Sequence, residues 1–271
     1  MAKRVQYFIN LFNPIIKAEY LKLLTVSILF SFVLFAAQAI PEELTVVTEE
    51  LPPYQYINEA GELDGFSVDV VKKLFNLTQE DHEIILMPWA RAYNMAKNQK
   101  NVLIFTIAHT KERDKQFIWI GDLVDEKYYF WGLKSNFIQK ISSVKQLKHL
   151  RITTLRNSNV HEYLLDKNFL NIHPVVNDAQ RILMLNHNRV DLFAATELGM
   201  MATAKKQSLD FSLYRKVLIL SELSSQFSIA LNINSDEALV SKYQLAFKKL
   251  EGTGQLNILR KKWHIPEKLI K

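Results

Sequence analysis

Between Leu44 and Thr106 the apolar period switches repeatedly between two and about 3.6 residues, and this switching most constrains the fold. Leu44 to Glu49 alternates as a strand and runs into Pro52-Pro53-Tyr54, where the prolines forbid helix and force an extended turn. A hairpin-like turn at Glu59 to Glu62 follows. Ser67 is then positioned to cap a helix, with Asp69 in its first turn and Val70, Val71, Leu74 and Leu77 facing the core. Glu83 to Met87 reads as a strand, Trp89, Ala92, Tyr93 and Ala96 as one helical face, and Val102 to Thr106 as a third strand. Strand, helix, strand, helix, strand is the pattern of a parallel sheet with crossover helices.

Val124 to Lys134 reads as an extended crossing, and beyond it the pattern restarts. Leu150 to Leu155 is a strand; Asn157-Ser158-Asn159 caps a helix with Val160, Tyr163 and Leu164 inward. Ile172 to Val176 is a strand, Asp178 is read as the cap of the Ile182/Leu183 helix, and Val190 to Ala195 is a strand leading into a helix from Glu197 to Lys206. A second extended run covers Lys216 to Leu223, a separate strand covers Gln226 to Asn232, and two helices close the chain at 236–250 and 253–262. Two βα runs joined by extended crossings predict two α/β lobes with a cleft between them. Ligands in open α/β sheets sit outside the strands' carboxyl ends. Glu49, Tyr54, Thr106, Arg113, Ser158, Asn159 and Thr196 all follow strands and can converge there.

The chain has 271 residues, 48% of them hydrophobic and 23% charged, which is ordinary globular composition. No cysteine is present, so disulfides, thiolate metal sites and a cysteine nucleophile are excluded. The formal charge of +6 falls to +3 once residues 1–39 are set aside, too mild to argue for nucleic acid. Those residues have the pattern of a secretory leader: basic positions up to Lys22, an apolar stretch from Leu23 to Ala37, and Ala37-Gln38-Ala39 as the cleavage site. An uncleaved N-terminal anchor is the alternative. His109, His161, His173, His187 and His264 show no metal-ligand spacing, so no metal or other cofactor is expected.

The stretch Pro88 to Gly121 carries the chemistry of most interest. Pro88-Trp89 opens a helix, and after the Val102 strand comes His109-Thr110-Lys111-Glu112-Arg113. Thr110 can cap a short turn that carries Arg113 back toward the strand's carboxyl end, where an arginine can fork two N–H groups onto a carboxylate. The spacing alone leaves a second reading open, a solvated arginine in a charged surface turn. Trp89 is likewise open to two readings, a lobe-core or cleft-wall aromatic and a stacking platform.

The segments VVTEELPPYQYINEAGELDGFSVDVV, PWARA, HTKERDKQFIWIG and NRVDLFAATE together resemble the family 3 solute-binding proteins of ABC importers, the polar-amino-acid type. The resemblance covers roughly residues 42–266. It implies a type II periplasmic-binding-protein fold, with lobe 1 formed by 41–125 and 224–271, lobe 2 by 128–221, and hinge closure on a small polar solute. It further implies export to the periplasm, an ABC permease as partner, a monomer, and no catalysis. By position, Arg113 matches the family's carboxylate-gripping arginine, Thr106 and Ala108 line the same strand, and Arg91 lies near the cleft. Glu49 and Tyr54 match positions near the ligand side chain, and Ser158 and Asn159 fall in the carboxylate-binding turn at a helix start. Thr196 stands where amino-acid binders usually place an aspartate for the ligand ammonium, so the resemblance leaves open an amino acid or another carboxylate-bearing solute. Two other classes share this fold: sensory modules that present ligand to a receptor, and dehydratases, in which Glu49 or Glu197 would be the acid.

Overall fold

In the computed structural model, which describes residues 43–137 and 140–266, the alternation seen in the sequence becomes two successive sets of parallel strands. The first set is β1 (Thr45–Thr48), β4 (Ile84–Leu86) and β5 (Val102–Ala108), linked by α1 (Phe66–Thr78) and α2 (Trp89–Asn98). A small hairpin of β2 (Tyr56–Ile57) and β3 (Leu63–Asp64) precedes α1. The second set is β7 (Ile152–Leu155), β8 (Ile172–Val175) and β9 (Leu192–Thr196). It carries α3 (Asn159–Asp166), α4 (Asp178–Asn186) and α5 (Glu197–Lys206).

Two long antiparallel strands run through both sets, β6 (Phe117–Leu133) and β10 (Tyr214–Asn232). One eight-stranded sheet results, in the order β4-β1-β5-β10-β6-β9-β7-β8. The run from Lys216 to Leu223 and the strand from Gln226, expected as separate elements, are thus one strand. Its pairing is nonetheless irregular midway, because Leu220 faces Tyr128 while Ser225 faces Glu126. Two residues of β6 span the same interval as five of β10, and that break lies where the first strand set gives way to the second. After β10, α6 (Glu237–Gly252) and α7 (Gln255–Lys262) return to the first set.

The first set is covered on both faces, which explains the largely apolar β5, buried at every residue. Successive side chains point to opposite faces of a strand. Val46, Leu103, Phe105, Ile229 and Leu231 therefore share a core with α1, α6 and α7 through Val70, Leu74, Tyr243, Phe247 and Leu256. Their neighbours Val47, Ile104 and Ala230 pack on α2 through Ala92 and Ala96. In the second set, Phe130, Ile152 and Leu192 pack on α3 through Val160 and Leu164. On its opposite face, Trp131, Phe193 and Ala195 meet Ile182, Leu185 and Met200 of α4 and α5.

Three local expectations are corrected. The prolines do not hold an extended turn: the cis Pro52–Pro53 pair lies in a tight one, closed by Leu51 and Gln55, with Leu51 N–H donating to Gln55 O at 2.8 Å. Ser67 does not cap α1. The cap is Gly65 at φ 131°, where a Cβ would lie 2.3 Å from Tyr54 O, so only glycine fits. Ser67 is instead buried, with its Oγ 2.9 Å from Thr106 Oγ1. Asp178 does not cap α4 either; Asn177 does, accepting from Gln180 N–H at 2.9 Å, which frees the Asp178 carboxylate. The leader at residues 1–39 lies outside the described residues.

Candidate functional site

Glu49 follows β1, Ala108 ends β5, Ser158 follows β7, Asp178 follows β8 and Thr196 ends β9. Because these strands are parallel within each set, their carboxyl ends bring all five residues to one cavity, which encloses about 660 Å³ with its mouth included.

Arg113 reaches this cavity from a single 3₁₀ turn, Arg113–Lys115. The turn begins when Arg113 N–H donates to Thr110 O at 3.0 Å, so it is the Thr110 backbone rather than its hydroxyl that starts it. The Arg113 side chain is 1% exposed, which rules out the solvated reading. Its guanidinium carbon lies 4.8 Å from the centroid of Tyr93 and 5.5 Å from that of Trp89, and these two rings stack on each other. Nη1 donates to Ala108 O at 3.0 Å. Nε and Nη2 have no hydrogen-bond acceptor among the described residues; the nearest anion to Nη2 is Glu162 Oε2 at 3.6 Å. A buried guanidinium that keeps free N–H groups bears a desolvation cost, which an anion in the cavity relieves.

The opposite wall comes from the second strand set. Ser158 caps α3, accepting from His161 N–H at 3.2 Å and donating to Leu155 O at 2.8 Å. Asn159 uses Oδ1 to accept from Val160 N–H at 3.0 Å, whereas its buried Nδ2 has no acceptor. Thr196 caps α5, with Oγ1 accepting from Gly199 N–H at 3.1 Å, so that hydroxyl is already engaged. Arg181 of α4 is 7% exposed, donates Nη1–H to Ala194 O at 2.7 Å, and pairs through Nη2 with Asp178. Burial pushes the Glu49 carboxyl well up, and Asp178 pushes it further; Arg181 and Arg113 pull it down. Two acidic and two basic side chains therefore share one cavity.

Thr106 lies in a bulge of β5, since Ile107 and Phe105 pair with consecutive residues of β10. Its φ of 59° is unusual for a β-branched residue, and bulges of this kind re-aim side chains beside sites. The Thr106 hydroxyl donates to Gln55 Oε1 at 2.8 Å.

Of the residues expected at the site, Glu49, Trp89, Thr106 and Ala108 line the cavity from the first set together with Arg113; Ser158, Asn159 and Thr196 line it from the second. Tyr54 and Arg91 do not. Tyr54 is wholly buried and donates its hydroxyl to Glu126. Arg91 lies on the exposed side of α2, opposite Ala92 and Ala96. Sequence reasoning missed Asp178, Arg181 and Tyr128 as lining residues, along with the apolar Phe193 and Met200. Arg181 left one signal, an arginine beside Ile182 and four residues before Leu185, both of which are buried.

The comparisons with known proteins bear directly on this geometry. A TM-score of 0.73 relates the chain to a histidine kinase sensor domain with similarity to periplasmic binding proteins, at 17% identity over 83% of this chain and 97% of that one. A mutant of ArgBP from T. maritima superposes with a TM-score of 0.72, at 18% identity over 82% of this chain and 96% of that one. The fold is thereby that of a two-lobe, type II periplasmic binding protein. The model of the bacterial extracellular solute-binding proteins, family 3, matches residues 44–126. The L-cystine-binding protein TcyJ of Bacillus subtilis (strain 168) is 24% identical over 224 residues, 79% of this chain and 80% of that protein. The resemblance to family 3 solute-binding proteins is borne out by these matches.

Proposed function

We propose that this protein is an exported solute-binding protein that captures a small amino acid, or a related carboxylate-bearing solute, and hands it to an ABC permease. The observation that carries this reading is Arg113, a buried guanidinium with two unsatisfied N–H groups in a cavity at converging strand ends. The helix start at Ser158 and Asn159 supplies further donors for the same carboxylate. Residues 41–125 with 224–271 form one lobe of the clamp and 128–221 the other, and the protein works as a monomer without catalysis. Mass spectrometry of small molecules released by denaturing the purified protein tests this. An amino acid or kindred carboxylate is expected, and it should raise the melting temperature when added back. A protein that releases none and is stabilised by none of the twenty amino acids would overturn the reading.

A second reading, ligand presentation to a signalling receptor, draws support from the likeness to a kinase sensor domain. The two share one capture step and differ only in the partner that is engaged afterwards.

Lobe closure is expected to pivot where the β6–β10 pairing breaks between Glu126 and Tyr128. Trp89 Nε1–H donates to Asn157 O at 2.9 Å and Lys206 pairs with Glu50, so contacts between the lobes are available to hold a closed form. Small-angle scattering should record a smaller radius of gyration when a bound amino acid is added. An unchanged radius with binding proven by calorimetry argues for a cleft that is closed beforehand. Export should remove residues 1–39 and leave Ile40 first; an intact mass that retains Met1 would favour the anchored form.

A further inference from the structure

Arg181 is built into the same cavity as Arg113, from the second strand set. Its Nη1 is closed by Ala194 O at 2.7 Å and its Nη2 by Asp178, and the guanidinium lies 5.5 Å from the centroid of Phe193. These contacts fix the plane of the group. Nε remains buried without an acceptor, and so does Asn159 Nδ2 in the same lining. Arg113 contributes Nε and Nη2 in the same condition. Buried donors without acceptors thus belong to the cavity's lining residues in two places, one at Arg113 against Tyr93 and the other at Arg181 against Phe193. One carboxylate has two oxygens and completes a single guanidinium. The second set of donors calls for a second acceptor group.

We propose that Arg181 is a specificity-determining residue that binds a second carboxylate, so the ligand is an amino acid bearing two carboxylates. This rests on the reading of the cavity as an amino-acid site. Burial and Asp178 raise the Glu49 carboxyl well above the ordinary carboxylate range, which lessens the negative charge that a second ligand carboxylate would meet in the same lining.

Isothermal calorimetry on the wild-type protein tests this with pairs that differ little except in the second carboxylate. The probes are L-glutamate against L-glutamine and L-aspartate against L-asparagine. At least one dicarboxylate is expected to bind tenfold or more tightly than its counterpart. Arg181→Gln should narrow that ratio to about threefold or less, and Arg181→Lys, which keeps a charge opposite Asp178, should preserve part of it. Each variant's melting curve establishes that it is folded, and the wild-type comparison stands even if a variant does not fold. A monocarboxylate binding as tightly as every dicarboxylate overturns the proposal while leaving the amino-acid reading intact. Binding by none of the four probes overturns the proposal. The amino-acid reading itself falls only if the other amino acids fail as well.

Discussion

Replacing Arg113 with alanine is expected to weaken ligand binding by roughly 2–5 kcal/mol, the usual cost of truncating one partner of a buried, hydrogen-bonded charge pair. That corresponds to a ~30- to ~4000-fold rise in Kd. Arg113 is 1% exposed and donates only Nη1–H to the protein, at Ala108 O, while Glu162 at 3.6 Å is beyond hydrogen-bond reach, so a bound carboxylate would be its hydrogen-bonded counter-charge. Arg113→Lys should recover part of the loss, since an ammonium keeps the charge and gives up the planar fork. Stability without ligand should move less than affinity, though not by zero. The contacts with Tyr93 and Trp89 are each worth about 0.5–2 kcal/mol, and relief of the unsatisfied N–H groups offsets them. Calorimetry with the ligand recovered from the purified protein measures the effect. Affinity within about threefold of wild type in Arg113→Ala would remove Arg113 from the site.

Sequence pattern made the scaffold legible because each element obeys its own local rule. The alternation of β1, the apolar run of β5 and the Ser158 cap each have a local cause, and the position of Arg113 follows from a turn only a few residues past β5. What pattern could not give depends on partners distant in sequence. β10 reads as two strands because its pairing to β6 breaks between Leu220 and Ser225, a consequence of the tertiary arrangement. Gly65 displaces Ser67 as the cap because Tyr54 O crowds it, across a turn that no periodicity reports. Asp178 and Arg181 stand three residues apart on a helix, the spacing of an ordinary surface ion pair, yet β9 buries that face through Ala194. Arg91 fails in the opposite way. The short motif around it places it near Trp89 in sequence, while the helix turns it outward.

Glu126 should make the protein's stability fall as pH rises from mildly acid to mildly alkaline. It lies on β6 where the strand pairing breaks, is 8% exposed, and accepts the Tyr54 hydroxyl. Burial raises its carboxyl from 4.5 to about 7, aided by the charges of Glu197 and Asp125 and opposed by hydrogen bonds from Tyr54 and from the backbone of Lys127. A carboxyl raised on folding holds its proton longer in the folded chain than in the unfolded one. Its contribution is therefore complete below the unfolded value of 4.5 and is lost as pH climbs through about 7. The ceiling for such a shift is about 3 kcal/mol. Glu126→Gln keeps an acceptor for Tyr54 and has no proton to lose, so subtracting its pH profile from that of wild type isolates this group from Glu49 and the histidines. Chemical denaturation at about pH 5 and pH 8 should show wild type losing on the order of 1–3 kcal/mol relative to the glutamine variant. A difference between the two proteins that stays constant across that range would mean the Glu126 carboxyl is already ionised in the fold, with Tyr54 donating to an anion. In that case the break between the strands would carry a permanent negative charge at the point where the two lobes join.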